Sequence, residues 1–409
     1  MLDGISFLMP TFNRASYIAE ALDSILCQIR ETDEIIVIDD GSTDNTREIL
    51  GSYNDRVSYH HQDNAGKSVA LNAAMKMSRG TYIWIVDDDD IMLPGVVERL
   101  RTAISGDSRG VVFGNYRRFE IVGNVKRTMD RGYWPDLSQG SILRHLLEDH
   151  FIFHNAALVK REAYEAAGEF DTSLLRSQDY DMFIRLALIT DFKYVDCCIF
   201  EQRKHLGQRG PAKIKHTESS SEKVWNQFDQ AIFSKVRKIV PLAIYFDMFE
   251  SADNSLVERA GLLQRACVMA RHGLWSEALD DLECAVEIAS STHLSVTERR
   301  ICASFLNGKY GFASTFEPAT VRRLHAVFSG SPVGPQVHGS MANGLVWQLR
   351  KGTAERRREA WRFLTAFGRA RSATRIVSER VRKSIVKIDE SVKETQSHEA
   401  AGSFAFPNS

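Results

Sequence analysis

The chain has 409 residues, 44% of them hydrophobic and 26% charged, and a formal net charge of -1. That length exceeds one ordinary domain, and the composition is that of a soluble globular protein. A charge so near neutral gives no global pull toward nucleic acid or acidic lipid, so no nucleic-acid partner is expected and any such attraction must be local.

Six cysteines without CxxC spacing read as buried apolar thiols in a reducing compartment, not as a disulfide framework or a zinc site. No basic segment followed by an apolar one precedes the run Ile5-Ser6-Phe7-Leu8-Met9, and no stretch approaches the ~20 apolar residues that cross a bilayer. The best apolar stretch, 239–249, is interrupted by Pro241 and Asp247. A cytoplasmic protein is expected.

From the N-terminus, residues 5–9, 34–38, 57–60 and 82–86 are short apolar runs bounded by turn residues and predict strands. Residues 17–28, 46–52 and 68–77 carry apolar side chains three and four apart and predict helices, the first with Ile18, Leu22, Ile25 and Leu26 on one stripe. Asp44 is placed to cap the second helix. Alternation of this kind predicts an α/β domain with a mostly parallel sheet flanked by helices, whose chemistry sits beyond the carboxyl ends of the strands. After about residue 206 the pattern changes. A Gly, Pro and basic loop at 207–215 leads into mainly helical sequence. Within that region, 266–289 fits either one tetratricopeptide-like helix pair or an ordinary helical hairpin. Residues 354–387 hold eleven Lys/Arg against three acids, and the end of the chain lacks periodicity. The expected organisation is a catalytic domain at 1–215, a helical region at 216–390 and a disordered tail at 391–409.

Five motifs carry chemistry. Pro10-Thr11-Phe12-Asn13-Arg14 lies where the first strand ends and a helix begins, a natural seat for an anion. In Ile38-Asp39-Asp40-Gly41-Ser42-Thr43-Asp44, a buried strand delivers adjacent acids to the sheet edge, where one can accept from a base N–H. Asp87-Asp88-Asp89-Asp90 follows another buried strand. Four like charges there demand a counter-charge, which Mg²⁺ or Mn²⁺ with phosphate oxygens supplies. Gln178-Asp179-Tyr180-Asp181 opens an amphipathic helix, where acids are also favoured by the helix dipole alone. Arg203-Lys204-His205 is a basic triplet that could meet a diphosphate or simply face solvent. Gly66-Lys67-Ser68 is not the end of a nucleotide-triphosphatase loop, because His61 stands where the first glycine belongs.

In order and spacing, these motifs resemble family 2 glycosyltransferases of the GT-A fold over about residues 4–206. Asn64-Ala65-Gly66-Lys67-Ser68, Leu93-Pro94 and Ala167-Gly168-Glu169-Phe170-Asp171 also match. The resemblance implies that Thr11, Phe12, Asp39, Asp40, Lys67, Asp87 and Asp88 contact the nucleotide-sugar. It implies Asp89 as the metal ligand, with Asp87 and His205 as further candidates, and Asp179 as the catalytic base. One departure is Gln178, where the family usually has Glu. The activity implied is Mg²⁺- or Mn²⁺-dependent, inverting transfer from a nucleotide-diphosphate sugar, UDP favoured, to a hydroxyl of a glycan or lipid-linked acceptor in surface polysaccharide assembly. A haloacid-dehalogenase-type phosphatase would need Asp87-Asp88-Asp89 alone and leaves Asp39, Asp40 and Asp179 without a task. A scaffold with a degenerate transferase domain is the non-enzymatic alternative. The basic segment 354–387 reads as a solvated face, a surface for an acidic partner, or a peripheral contact with the inner face of the membrane, where Trp361, Phe363, Leu364 and Phe367 would anchor it.

Overall fold

The computed structural model describes residues 4–367 apart from 54, 139, 205–217, 247–252 and 311, and apart from the side chains of 218–223. The chain forms two compact units, Met1–Met248 and Phe249–Ser409.

The first unit begins with β1 (Ile5–Thr11), α1 (Ile18–Leu26), β2 (Glu34–Asp39), α2 (Thr46–Gly51), β3 (Ser58–His61), α3 (Lys67–Met77) and β4 (Tyr82–Ile85). Next come β5 (Ile91–Met92), α4 (Val96–Ile104), β6 (Val111–Val122), β7 (Val125–Met129) and α5 (Ile142–Glu148). The unit closes with β8 (Ala157–Lys160), α6 (Arg161–Ala167), α7 (Gln178–Ala187), β9 (Phe192–Lys204) and α8 (Glu218–Ile239). The strands make one mixed sheet in the order β3-β2-β1-β4-β8-β6-β9-β5, with β7 hairpinned onto β6. Its parallel part is the run β3-β2-β1-β4. There helices cover both faces, and every residue of β1 is consequently buried.

Beyond β4 the pairing alternates: β8 is antiparallel to β4 and to β6, and β6 is parallel to β9. The strands read from the sequence end within two residues of those observed, β1 running on to Thr11. The antiparallel half is less legible in the sequence, because β6 and β9 are long and partly exposed with polar residues among the apolar ones; its one local signal is Gly123-Asn124, the two-residue turn between β6 and β7. The core lies between β1, β2 and β4 and the stripe Ile18, Leu22, Ile25 and Leu26 of α1, with Phe7 and Trp84 stacked at 5.6 Å.

Two local expectations are corrected. Asp44 is not the residue that directly precedes α2. It stands one position earlier, where its carboxylate accepts from the Thr46 N–H at 3.0 Å and the Thr46 hydroxyl at 2.5 Å. A carboxylate with a one-carbon stem reaches that amide more easily from the turn than from the cap itself. The cysteines are also not uniformly buried: Cys267 and Cys302 are, Cys197 and Cys198 are half-buried, and Cys27 and Cys284 are exposed. Cys27 falls just past α1, beyond the stripe that packs on the sheet.

The second unit is helical: α9 (Asn254–Arg271), α10 (Trp275–Glu287), α11 (Val296–Ser304), α12 (Pro318–Gly330), α13 (Gly334–Lys351) and α14 (Ala354–Phe367). The stretch read as a helix pair is α9 and α10, joined through Gly273 in a left-handed conformation, with Trp275, Ala278 and Ala285 buried. Arg259 is buried in this unit. Its guanidinium meets Glu298 at 2.7 Å and the carbonyls of Ala289 and Thr292 at 3.0 and 2.9 Å. Among the described residues, no helix is long and apolar enough to cross a membrane. Of the basic segment, α14 is described, with Ala360, Phe363, Leu364 and Phe367 buried and Trp361 exposed. Residues 368–387 and the tail at 391–409 lie outside the described residues.

Candidate active site

The parallel strands end together, so their following loops converge at one sheet edge. Three of these loops brace one another. The Asn13 N–H donates to the Ser42 hydroxyl at 2.9 Å, the Thr43 N–H to the Asn13 side-chain oxygen at 2.8 Å, and the Arg14 N–H to the Thr46 hydroxyl at 2.9 Å. Asn13 itself has φ 53, a strained conformation that Asn tolerates better than most residues. Gly41 (φ 83) makes the turn after β2, and a Cβ there would lie 2.9 Å from the Asn64 nitrogen, so the third loop can close only on glycine.

Asp39 and Asp40 are both buried, and both hold this loop cluster. Asp39 accepts from the Ser42 N–H at 2.8 Å and the Tyr59 hydroxyl at 3.0 Å, with His61 Nδ1 at 3.4 Å. The Asp40 carboxylate accepts from the Ala65 and Gly66 N–H groups at 2.9 and 2.8 Å and from Gln62 Nε2 at 2.7 Å. Much of their acceptor capacity is therefore taken by the protein's own backbone.

The four acids after β4 divide by role. Asp90 is buried, accepting from Asn155 Nδ2 at 2.6 Å and the Arg203 N–H at 2.9 Å. Asn155 also accepts from the Asp87 N–H at 2.7 Å, and its carbonyl accepts from the Trp84 indole at 3.0 Å. Arg203 Nε donates to the Asp89 carbonyl at 3.0 Å, and its guanidinium pairs with Glu20 and lies over the Phe119 and Tyr17 rings. Asn155 and Arg203 thus clamp the acidic turn from below. With the turn held, Asp88 and Asp89 converge on Arg14, each 3.5 Å from its Nε. Burial and then the neighbouring Asp89 charge push the Asp88 carboxyl up to about 7, against the opposing pull of Arg14 and the Thr11 hydroxyl. Asp87 pairs with Lys67 at the start of α3.

The tertiary fold brings Asp179 to the same place. It stands in the first turn of α7, its Oδ2 3.5 Å from His150 Nε2, and His150 stacks on Tyr180 at 4.9 Å. Burial pushes the Asp179 carboxyl up, but the positive fields of His150, His154 and Lys67 outweigh it, and the group lies below its ordinary value. His154, packed between Phe170 and Phe183, is driven down to about 3 by burial and is neutral at pH 7, so its pull on Asp179 acts only in the acid range, while Lys67 remains a cation near Asp179. Lys67 is raised: burial alone would lower it, but Asp87, Asp179 and Asp88 overcome that. Lys67 is therefore coupled to both acid groups, which the sequence keeps about ninety residues apart.

Residues 6–168, which span these loops and the whole acidic turn, match the family model described as "Glycosyl transferase family 2". Those residues form a family 2 glycosyltransferase domain. The chain is 27% identical over 228 residues to an uncharacterized glycosyltransferase of Rickettsia felis, a match covering 55% of this chain and 38% of the relative. It is 29% identical over 243 residues to chondroitin synthase of Escherichia coli, covering 58% of this chain and 34% of that one. The chain thus spans well under half the length of these curated relatives. A crystal structure of S. aureus TarS 1–349 in complex with UDP-GlcNAc superposes with a TM-score of 0.49 at 15% identity over 90% of this chain and 91% of that one. At that level of likeness, the sheet order above, not the neighbour, defines the fold. The family 2 match over residues 6–168 speaks against the phosphatase reading.

Of the residues singled out from the sequence, Asp87, Asp88, Asp89, Lys67 and Asp179 gather at one edge, with Thr11 beside Asp88. Phe12 is half-buried on the neighbouring loop. His205 lies outside the described residues. The sequence reading assigned no role to Arg14 or Asn155. Asn155 has one available signal, an amide beside His154 inside the run at 151–159, whose other residues are apolar. Arg203, read as one of a basic triplet open to diphosphate or solvent, is instead buried and structural.

Proposed function

We propose that the family 2 domain transfers a sugar from a nucleoside diphosphate to an acceptor hydroxyl with inversion, using Asp179 as base and a divalent cation at Asp88 and Asp89. The observation that carries this reading is the coupling of Lys67 to both the acidic turn and Asp179, which supports two acid groups with separate duties facing one site.

Hard carboxylate oxygens gathered on one turn suit Mg²⁺ or Mn²⁺. Asp89 and Asp88 would hold the ion. Among the described residues no set of three ligating side chains is assembled, so donor oxygens or His205 would complete the shell. Asp87 is the further candidate, once released from Lys67. When bound, the ion supplies Lewis-acid stabilisation of the departing diphosphate.

The protein's own residues do the rest. Lys67 and Arg14 present positive charge to the diphosphate. Asp39 and Asp40 shape the loops around the base and ribose, with Thr11 and Phe12 beside them. Asp179, held ionised at neutral pH, accepts the acceptor proton as the new bond forms. Direct displacement fits a single positioned carboxylate on the face opposite the leaving group. UDP is the favoured donor nucleotide, a glycan or lipid-linked hydroxyl the acceptor, and surface polysaccharide assembly the setting. This rests on the likeness to a chondroitin synthase. The organisation that goes with it is a transferase at 1–215, with 216–390 as an adaptor or membrane-proximal region, in a cytoplasmic protein peripheral to the membrane.

The test is a thermal-shift series of UDP, GDP, CDP and dTDP with and without Mn²⁺, followed by turnover of the matching nucleotide sugar. A nucleotide that stabilises only with Mn²⁺ is expected. Indifference to every nucleotide in the presence of Mn²⁺ would sink the proposal. Asp179→Asn should lose about 10²–10⁴-fold in kcat while the nucleotide-induced shift persists. Near-normal turnover in that variant removes the base assignment.

A further inference from the structure

The β6–β7 hairpin leaves the body of the sheet with its apolar end uncovered. Ile121 is 53% exposed, Val122 45% and Val125 61%. Such residues normally line a core, and clustering at one tip asks for an occupant. The register decides which kind. Val122 pairs with Val125 across the turn at Gly123, while Ile121 pairs with Lys126, one residue out of phase. Because side chains alternate along a strand, Ile121 points to one face of the ribbon and Val122 with Val125 to the other. A partner protein would cover one face of such a ribbon. A medium that surrounds the tip satisfies both.

Charge is arranged to match. Residues 117–131 hold five Lys/Arg against two acids, and they begin one step behind the apolar tip. Lys126 lies over the Phe119 ring and pairs with Glu201, while Arg131 lies over Trp134 and Arg118 meets the neutral Gln202 and Tyr116 at 3.2 Å. Arg127 is exposed opposite Glu120. An apolar end with a basic collar behind it is the pattern that inserts shallowly into an anionic lipid surface, with the collar at the headgroups.

We propose that the tip Ile121, Val122 and Val125 inserts into anionic phospholipid, with Arg118, Lys126, Arg127 and Arg131 on the headgroups. This contact needs no transfer chemistry and is separate from segment 354–387. Its consequence for the reaction does rest on the proposed function. Phe119, at the hairpin root, carries the Arg203 guanidinium that holds the Asp89 carbonyl, so insertion sets the acidic turn beside the lipid surface, where a lipid-linked hydroxyl would be presented.

The experiment is co-sedimentation of the full chain with vesicles of phosphatidylcholine alone and of phosphatidylcholine mixed with phosphatidylglycerol. Binding to the anionic vesicles, weakened by salt, is expected for the unaltered protein. The paired substitution Val122→Asp and Val125→Asp should lower partitioning about ten-fold or more. The milder Val122→Thr with Val125→Thr, which keeps β-branched shape, should lower it less and guards against misfolding. In both variants the nucleotide-induced thermal shift serves as the control and should be unchanged, so failure of lipid binding is distinguishable from failure of the donor reading. Variants that partition like the unaltered protein would overturn the proposal. So would indifference of the unaltered protein to both vesicles, or a dimer that the aspartate pair dissolves while vesicle binding is absent.

Discussion

Lys67 and Asn155 carry two different duties at the residue scale. Lys67 is a field: its charge lowers Asp179 and offsets Asp87. A depressed carboxyl is ionised above its pKa, so the acid limb of kcat/KM should lie below the ordinary carboxylate value. Lys67→Met removes positive charge near Asp179, which raises that carboxyl and should move the limb to higher pH. His150 and His154 are the other titratable groups facing Asp179, and His154 is already neutral there. An unmoved limb would detach Lys67 from the base. Asn155 is a clamp, with one amide serving Asp87, Asp90 and, through its carbonyl, Trp84. Asn155→Leu keeps the volume and the backbone carbonyl that serves Trp84 but deletes the side-chain bonds to Asp87 and Asp90, and should weaken Mn²⁺-dependent nucleotide stabilisation about 10–100-fold in affinity, the usual effect of losing a group that orients ligands. Titrating the thermal shift against nucleotide measures this.

At the scale of elements, α7 is held where its first turn begins. Ser177 precedes the helix at φ 58, and its hydroxyl donates to Asp229 of α8 at 2.7 Å, while Lys235 of α8 pairs with Asp171. The buried Asp229 fixes the residue two positions before Asp179. Ser177→Ala deletes a hydrogen bond to a charged group and should destabilise by about 1.5–3 kcal/mol in urea unfolding. Ser177→Gly deletes the same bond but relieves the left-handed strain, so it should be the less harmful of the two. The opposite ranking would mean that the backbone here is not strained. The same tie explains why α8, which the sequence pattern groups with the helical region, belongs to the first compact unit.

For the whole molecule, two compact units imply two cores that can be perturbed separately. Arg259 and Glu298 are a buried pair in the second unit, with Glu298 also accepting from the Ser295 N–H in a capping box. Arg259→Met takes the guanidinium from Glu298 and from the carbonyls of Ala289, Thr292 and His293, and about 3–5 kcal/mol of destabilisation is expected. Calorimetry with and without nucleotide checks it: the nucleotide-sensitive transition should stay and the other should fall. A drop in both would show that the units unfold as one.

The residues alone carried the parallel half of the sheet and the identity of the acidic turn. Both depend on short-range signals: apolar runs of strand length, turn glycines, and four carboxylates that need a counter-charge. The sequence also marked Asp179, but only as one acid in a helix's first turn, where the dipole would favour it anyway. Its place near Lys67 was decided by the winding of α3 and α7 onto one edge, which couples the charges of positions 112 residues apart. The antiparallel half, the clamp of Asn155 and Arg203 on the acidic turn, and the uncovered hairpin likewise came from tertiary structure. A polar side chain in a strand reads the same whether it meets solvent, a buried backbone amide or a lipid headgroup, and only the fold tells these apart.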